Sequence, residues 1–160
     1  MIGQKESLTP AKGLLIKFAG EFNLDKLYKS CKDWFESRKY DFTEKEHTEK
    51  TKPEGNEFNI KFIGEREVDD YVRFDIETYF FILETKRKGE KAHAKVKINI
   101  QAEVVLDYNG RWQRSSFSKF LFFLYNNYII KKKILDVYEV KLYGELMEYS
   151  KIIKSNLGLQ

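Results

Sequence analysis

The chain of 160 residues holds one cysteine, two prolines and two histidines. Cys31 alone cannot close an internal disulfide, and with so few histidines a Cys/His zinc site lacks ligands. The nine glycines never cluster, and no Walker, HExxH, GxSxG or CxxC pattern occurs, so the common phosphate-cradling loops and nucleophile turns are missing. Long apolar runs are missing as well. The most apolar stretch, Phe117 to Ile130, is interrupted by Ser118, Lys119 and the Asn126-Asn127 pair, and falls short of the ~20 residues needed to cross a bilayer. The first apolar run, Leu14-Leu15-Ile16, stops at Lys17, too short for a signal-peptide core. The expectation is a cytoplasmic chain with no transmembrane segment, no metal, no cofactor and no catalytic constellation.

What is present argues for a folded domain. The chain is 42% hydrophobic and 16% aromatic, which excludes a disordered polymer, and 34% charged, which argues against an integral membrane protein. Domains typically run ~100 to 200 residues, so residues 1–160 read as one, with 1–12 as a flexible lead-in. Pro10 and Pro53 fall in loops. The net charge of +4 is uneven: residues 1–110 carry 20 basic and 21 acidic side chains, and 111–160 carry 9 and 4.

Residues 14–22 set Leu14, Ile16 and Phe18 against Leu15, Lys17 and Ala19, the period of a strand with one buried face. Asn23 is placed to cap a helix over 24–39, whose apolar positions Leu24, Leu27, Tyr28, Cys31, Trp34 and Phe35 recur at spacings of three and four. Period two returns from Phe42 to Lys50, and after a turn at 52–56 continues through Phe58, Ile60 and Phe62 to Gly64. Val72, Phe74, Ile76, Thr78, Phe80 and Ile82 form the next inward face. From Ala92 to Leu106 apolar positions alternate with His93, Lys95, Lys97, Asn99, Gln101 and Glu103. A strand of ~16 residues reaches ~50 Å, so it has to twist, coil or bulge. Ser115 or Ser116 caps a last helix that runs to about Asn156, with Gly158 beyond. At ~60 Å this helix exceeds the ~40 Å width of a 160-residue globule, so it either breaks at Asn126-Asn127 or projects at one end.

The fold class is therefore α+β: a curved antiparallel sheet of about five strands, in the order β-α-β-β-β-β-α, packed on a long C-terminal helix. This order resembles the helix-grip fold of START and Bet v1-like proteins, whose curved sheet wraps the last helix around an apolar cavity. The resemblance implies a carrier of a small apolar or lipid ligand. Small residues at Ala92, Ala94 and Ala102 either let the helix approach closely or leave room for a ligand, which would be lined by Phe74, Ile76, Phe80, Val96, Ile98, Ile100, Phe120, Leu121, Leu124 and Tyr128.

The residues themselves point first to association. Phe120 to Tyr125 surround the helix axis, and Phe122, Phe123, Ile129, Ile130 and Ile134 add an apolar strip away from the line of 120, 121, 124 and 128. The leading expectation is a non-enzymatic interaction module that associates with itself or a protein partner through Phe123, Ile130, Ile134 and Leu142. Arg111, Arg114, Lys131, Lys132 and Lys133, with Trp112 among them, form a basic surface. Cations beside aromatics suit nucleic acid or an anionic membrane surface, but solvated surface is the plainer reading, and nucleic acid ranks last. Cys31 reads as a core thiol and Asp69-Asp70 as a turn. His47 and His93 read as solvated strand residues, although Glu44, Glu46 and Glu49 beside His47 would also suit a metal or acid/base site.

Overall fold

Alternation of apolar and polar side chains builds most of the sheet. In the computed structural model, which describes residues 4–160, six strands form one antiparallel sheet: β1 (Gln4–Ser7), β2 (Leu14–Phe22), β3 (Asp41–Lys50), β4 (Asn56–Glu67), β5 (Val72–Lys88) and β6 (Lys91–Leu106). Strands β3 to β6 are a meander, and β1 and β2 both pair with the outer edge of β6, end to end. Within the segment expected to be a flexible lead-in, β1 sets Gln4 opposite Leu106 and Ser7 opposite Glu103. Its four residues carry no period-2 signal, so only the free edge of β6 reveals the strand.

The apolar alternation of β6 from Ala92 to Leu106 lies buried on the inner face, as do Val72, Phe74, Ile76, Thr78, Phe80 and Ile82 of β5. Lys95, Lys97 and His93 lie on the outer, solvent-facing side. The long strands accommodate their length through register shifts, at Glu44/Glu46 in β3, Asn56/Phe58 in β4 and Leu83/Lys86 in β5. Glu84 adopts φ 54° at the last of these, a conformation that supplies the bend.

Helix α1 (Leu24–Ser37) starts where the Asn23 side chain accepts from the Lys26 N–H, and buries Leu24, Leu27, Cys31, Trp34 and Phe35 against the sheet. It approaches β4 closely at Gly64, where a Cβ would stand 2.3 Å from Cε1 of Phe35. The C-terminal helical rod begins at Ser115, whose hydroxyl caps the Ser118 N–H. It consists of α2 (Ser116–Leu124), a π-helical stretch (Tyr125–Ile130), a single turn α3 (Lys131–Lys133), a second π-helical stretch (Ile134–Glu139) and α4 (Val140–Asn156).

At Asn126-Asn127 the rod widens rather than breaks. Asn127 Nδ2 donates to the Phe123 carbonyl at 2.9 Å, the acceptor its own N–H would take in an α-helix, and this competition favours the wider turn. Each π turn adds a residue and resets the helical phase. In α4 the positions Leu142, Leu146, Tyr149 and Ile153 then face the sheet and are fully buried. Gly158, at φ 74°, follows the end of the rod.

Candidate interaction surface

The two halves of the rod meet the sheet differently. α4 fills the inner face: Tyr149 lies 4.7 Å from the Trp34 ring and 4.9 Å from the Phe35 ring, and its hydroxyl pairs with Thr78 at 2.9 Å. Glu145 is held here too, accepting from Tyr40 Oη at 2.6 Å and from Arg66 Nη2 at 2.8 Å. Burial, followed by the hydrogen bond to Glu145, pushes the Tyr40 phenol well above its usual pKa.

α2 is anchored along one side only. Phe122 is buried beside the Tyr71 ring at 6.2 Å, and Tyr125 meets Tyr71 edge-on at 5.8 Å and stacks on Trp112 at 6.0 Å. Asn126, also buried, accepts from Tyr71 Oη at 2.5 Å and donates to Gln4 at 2.8 Å, tying β1 to the rod. Asp69 fixes the platform beneath by accepting the N–H groups of Tyr71 and Val72, both at 2.8 Å, and the Tyr138 hydroxyl at 2.6 Å. This is the local turn bonding expected of Asp69.

The other side of α2 meets solvent. Phe117 is 69% exposed, Phe120 57%, Phe123 59%, Tyr128 79% and Ile129 66%, with Leu121 beside them at 37%. At ~100° per residue, Phe117, Phe120, Leu121 and Leu124 share one helix face, opposite Phe122. The four exposed rings, of a class that covers ~150 to 250 Å² each, present on the order of 500 Å² of surface. That rivals the ~300 to 600 Å² of the largest patch on a typical monomer.

This arrangement redistributes the expected site residues. Phe74, Ile76, Phe80, Val96, Ile98 and Ile100 are buried core, whereas Phe120, Leu121 and Tyr128 open to solvent and Leu124 is half-buried, so these ten residues line no common cavity. Leu142 is a correction: it is fully buried against the sheet and presents nothing to a partner, because its spacing from Leu146, Tyr149 and Ile153 in α4 puts it on the face that packs inward. Phe123 is exposed. Phe122, placed on the outward strip by its spacing, is instead the buried anchor. The side chains of Ile130, Lys133 and Ile134 lie outside the described residues. Phe117 was not among the expected contacts, although its spacing of three and four from Phe120 and Leu121 would have found it.

No protein-family model, curated protein or solved structure matches this chain. Function therefore has to be read from the side chains.

Between α1 and the sheet, the apolar hollow lined by Leu24, Leu27, Tyr28, Ile60, Phe62, Phe80 and Ile82 encloses about 10 Å³. That is about the space of a single water, against the ~300 Å³ or more of a small-molecule site. A larger cleft, about 220 Å³, opens between β1 and the π turn, lined by Gln4, Glu6, Leu106, Asn126, Asn127, Lys131 and Glu139. Burial, and then the nearby Glu6 charge, raises the Glu139 carboxyl above its usual range.

The bulge at Glu44/Glu46 turns Glu44 and His47 to the same side of β3, with Glu44 Oε1 3.4 Å from His47 Nδ1. Tyr28 of α1 donates to Glu44 Oε2 at 2.5 Å, and this bond, with burial second, pushes the Tyr28 phenol up to about 12. Glu49 is engaged by Asn56 at 2.9 Å, and no three His, Cys, Asp or Glu side chains among the described residues form a metal cluster. Burial drives the Cys31 thiol up to about 12, which leaves it protonated near neutrality and unsuited to nucleophilic attack.

The basic residues gather around α2. Arg111, Arg114, Lys119, Lys131 and Lys132 are all exposed. Between Asp107 and Asp136 the sequence contains six basic and no acidic side chains.

Proposed function

We propose that the chain is a non-enzymatic interaction module that docks onto a partner through the solvent-facing apolar side of α2. The observation that carries this reading is the exposure of Phe117, Phe120, Phe123 and Tyr128 on a helix whose opposite side is fixed by Phe122, Tyr125 and Asn126. An isolated exposed Leu or Phe is ordinary, whereas a contiguous aromatic patch on an anchored helix is the usual mark of an interface.

Replacing Phe120, Phe123 and Tyr128 by Ser tests the reading by separating a docking face from a core face. Exposed positions tolerate such changes within ~0.5 kcal/mol each, while truncating a buried aromatic costs ~3 to 5 kcal/mol. The urea midpoint should therefore stay close to wild type while binding of an apolar fluorescent dye falls. A collapse in stability would mean that these rings are core, and the docking reading would be withdrawn.

A further inference from the structure

The chemistry around the apolar side of α2 identifies the kind of surface it fits. Resting on the docking reading above, we propose that α2 and the turn after it bind the surface of an anionic lipid bilayer, laying Phe117, Phe120, Leu121, Phe123, Tyr128 and Ile129 among the acyl chains.

Charge supplies the first argument. Arg111 and Arg114 precede the apolar helix, Lys119 lies within it, and Lys131 and Lys132 follow it. All five are exposed, and none of them forms an ion pair among the described residues. The segment between Asp107 and Asp136 has no acidic side chain, so its own charge is entirely positive, and the carboxylates of Glu6 and Glu139 lie in the cleft beside Lys131. Interfacial helices combine an aromatic and aliphatic side with flanking Lys and Arg, the first entering the acyl boundary and the second meeting lipid phosphates. The rod stays on the surface, since no helix among the described residues is long and apolar enough to cross a membrane.

Like charge supplies the second argument, against a second copy of the chain as occupant. Pairing two such ends would bring Arg111, Arg114, Lys119, Lys131 and Lys132 of one copy against those of the other, with no acid in either segment to offset them. A single strand of nucleic acid would meet the positive charge. However, Leu121 and Ile129 intervene among the rings, and aliphatic side chains serve acyl tails rather than base stacking.

The test uses the full chain with vesicles of phosphatidylcholine alone and of phosphatidylcholine with phosphatidylserine, followed by sedimentation. Binding is expected on the anionic vesicles, to weaken as salt rises, and to be far weaker on the neutral ones. Arg114→Gln with Lys131→Gln and Lys132→Gln should weaken partitioning about fivefold per charge, on the order of a hundredfold together. The Phe120, Phe123 and Tyr128 to Ser variant should abolish binding while folding normally. Equal binding to both vesicle types, no binding to either, or binding to a single-stranded oligonucleotide with none to anionic vesicles would each overturn the inference. In those cases, if the Ser variant is also stable and dye-silent, the docking reading survives and only the lipid partner is wrong. If the Ser variant unfolds, the docking reading itself has failed.

Discussion

Removing the Glu145 carboxylate should be among the most damaging single changes available in this molecule. Glu145 lies on the side of α4 that faces the sheet, with a side chain only 10% exposed, and its partner Arg66 is 16% exposed. The Arg66 guanidinium sits 4.7 Å from the Tyr40 ring and 5.4 Å from that of Phe74, and Nη1 donates to the Arg38 carbonyl at 2.9 Å. It therefore cannot turn to water without giving up these contacts. Glu145→Ala leaves that cation without its counter-charge and the Tyr40 hydroxyl without its acceptor. Removing one partner of a buried pair costs ~3 to 5 kcal/mol, which already includes much of the orphaned hydroxyl. At ~2 to 4 °C per kcal/mol for a chain of this size, the melting temperature should fall by about 10 °C.

Urea denaturation followed by circular dichroism reads the change as a lower midpoint at constant slope. Glu148 provides the control from the same helix. It meets Arg38 at 2.5 Å, but the two side chains are 41% and 44% exposed, so Glu148→Ala should cost under ~1 kcal/mol. Replacing Arg66 by Met and Glu145 by Leu together should cost less than Glu145→Ala alone, because no buried charge is then left unpaired. Equal, small effects of Glu145→Ala and Glu148→Ala would refute the distinction between the buried and the exposed pair.

Gly64→Ala should destabilise by ~1 to 3 kcal/mol, because the new methyl meets the Phe35 ring in a packed core, and Phe35→Leu should recover part of the loss in the same urea assay. Stability should also fall at alkaline pH. The Tyr28 and Tyr138 phenols are held up to about 12 in the folded chain, Tyr28 mainly by its bond to Glu44 and Tyr138 mainly by burial. The unfolded chain releases phenol protons from about pH 10 and the folded one retains them, so stability is complete below about 10 and is lost as pH rises toward 12. Tyr28→Phe should make the fall in urea midpoint shallower over that window, and identical pH profiles for the two proteins would remove Tyr28 from the account.

Much of the scaffold follows from the sequence. Period-2 alternation in β4, β5 and β6 and the three-and-four spacing of α1 each admit one buried face, and a single core then fixes an α+β sheet packed on the C-terminal helix. Asn23 and Ser115 mark the two helix starts because short polar side chains satisfy the free N–H groups there. β1 depends on tertiary structure, since Gln4 to Ser7 becomes a strand only beside β6. The β3 bulge likewise brings Tyr28, Glu44 and His47 together by moving one residue out of alternation.

The candidate surface divides in the same way. The sequence determined that Phe117 to Ile129 carries more apolar side chains than one helix face can bury, with basic residues around them and no acid. It could not determine which side is covered. That was decided by Tyr71 and Trp112, which hold Phe122 and Tyr125, and by the π turn that follows them; Phe120, Leu121 and Tyr128 are left in water. Helical phase depends on every turn between a residue and its contact, and a one-residue widening that period analysis does not register is enough to rotate the face.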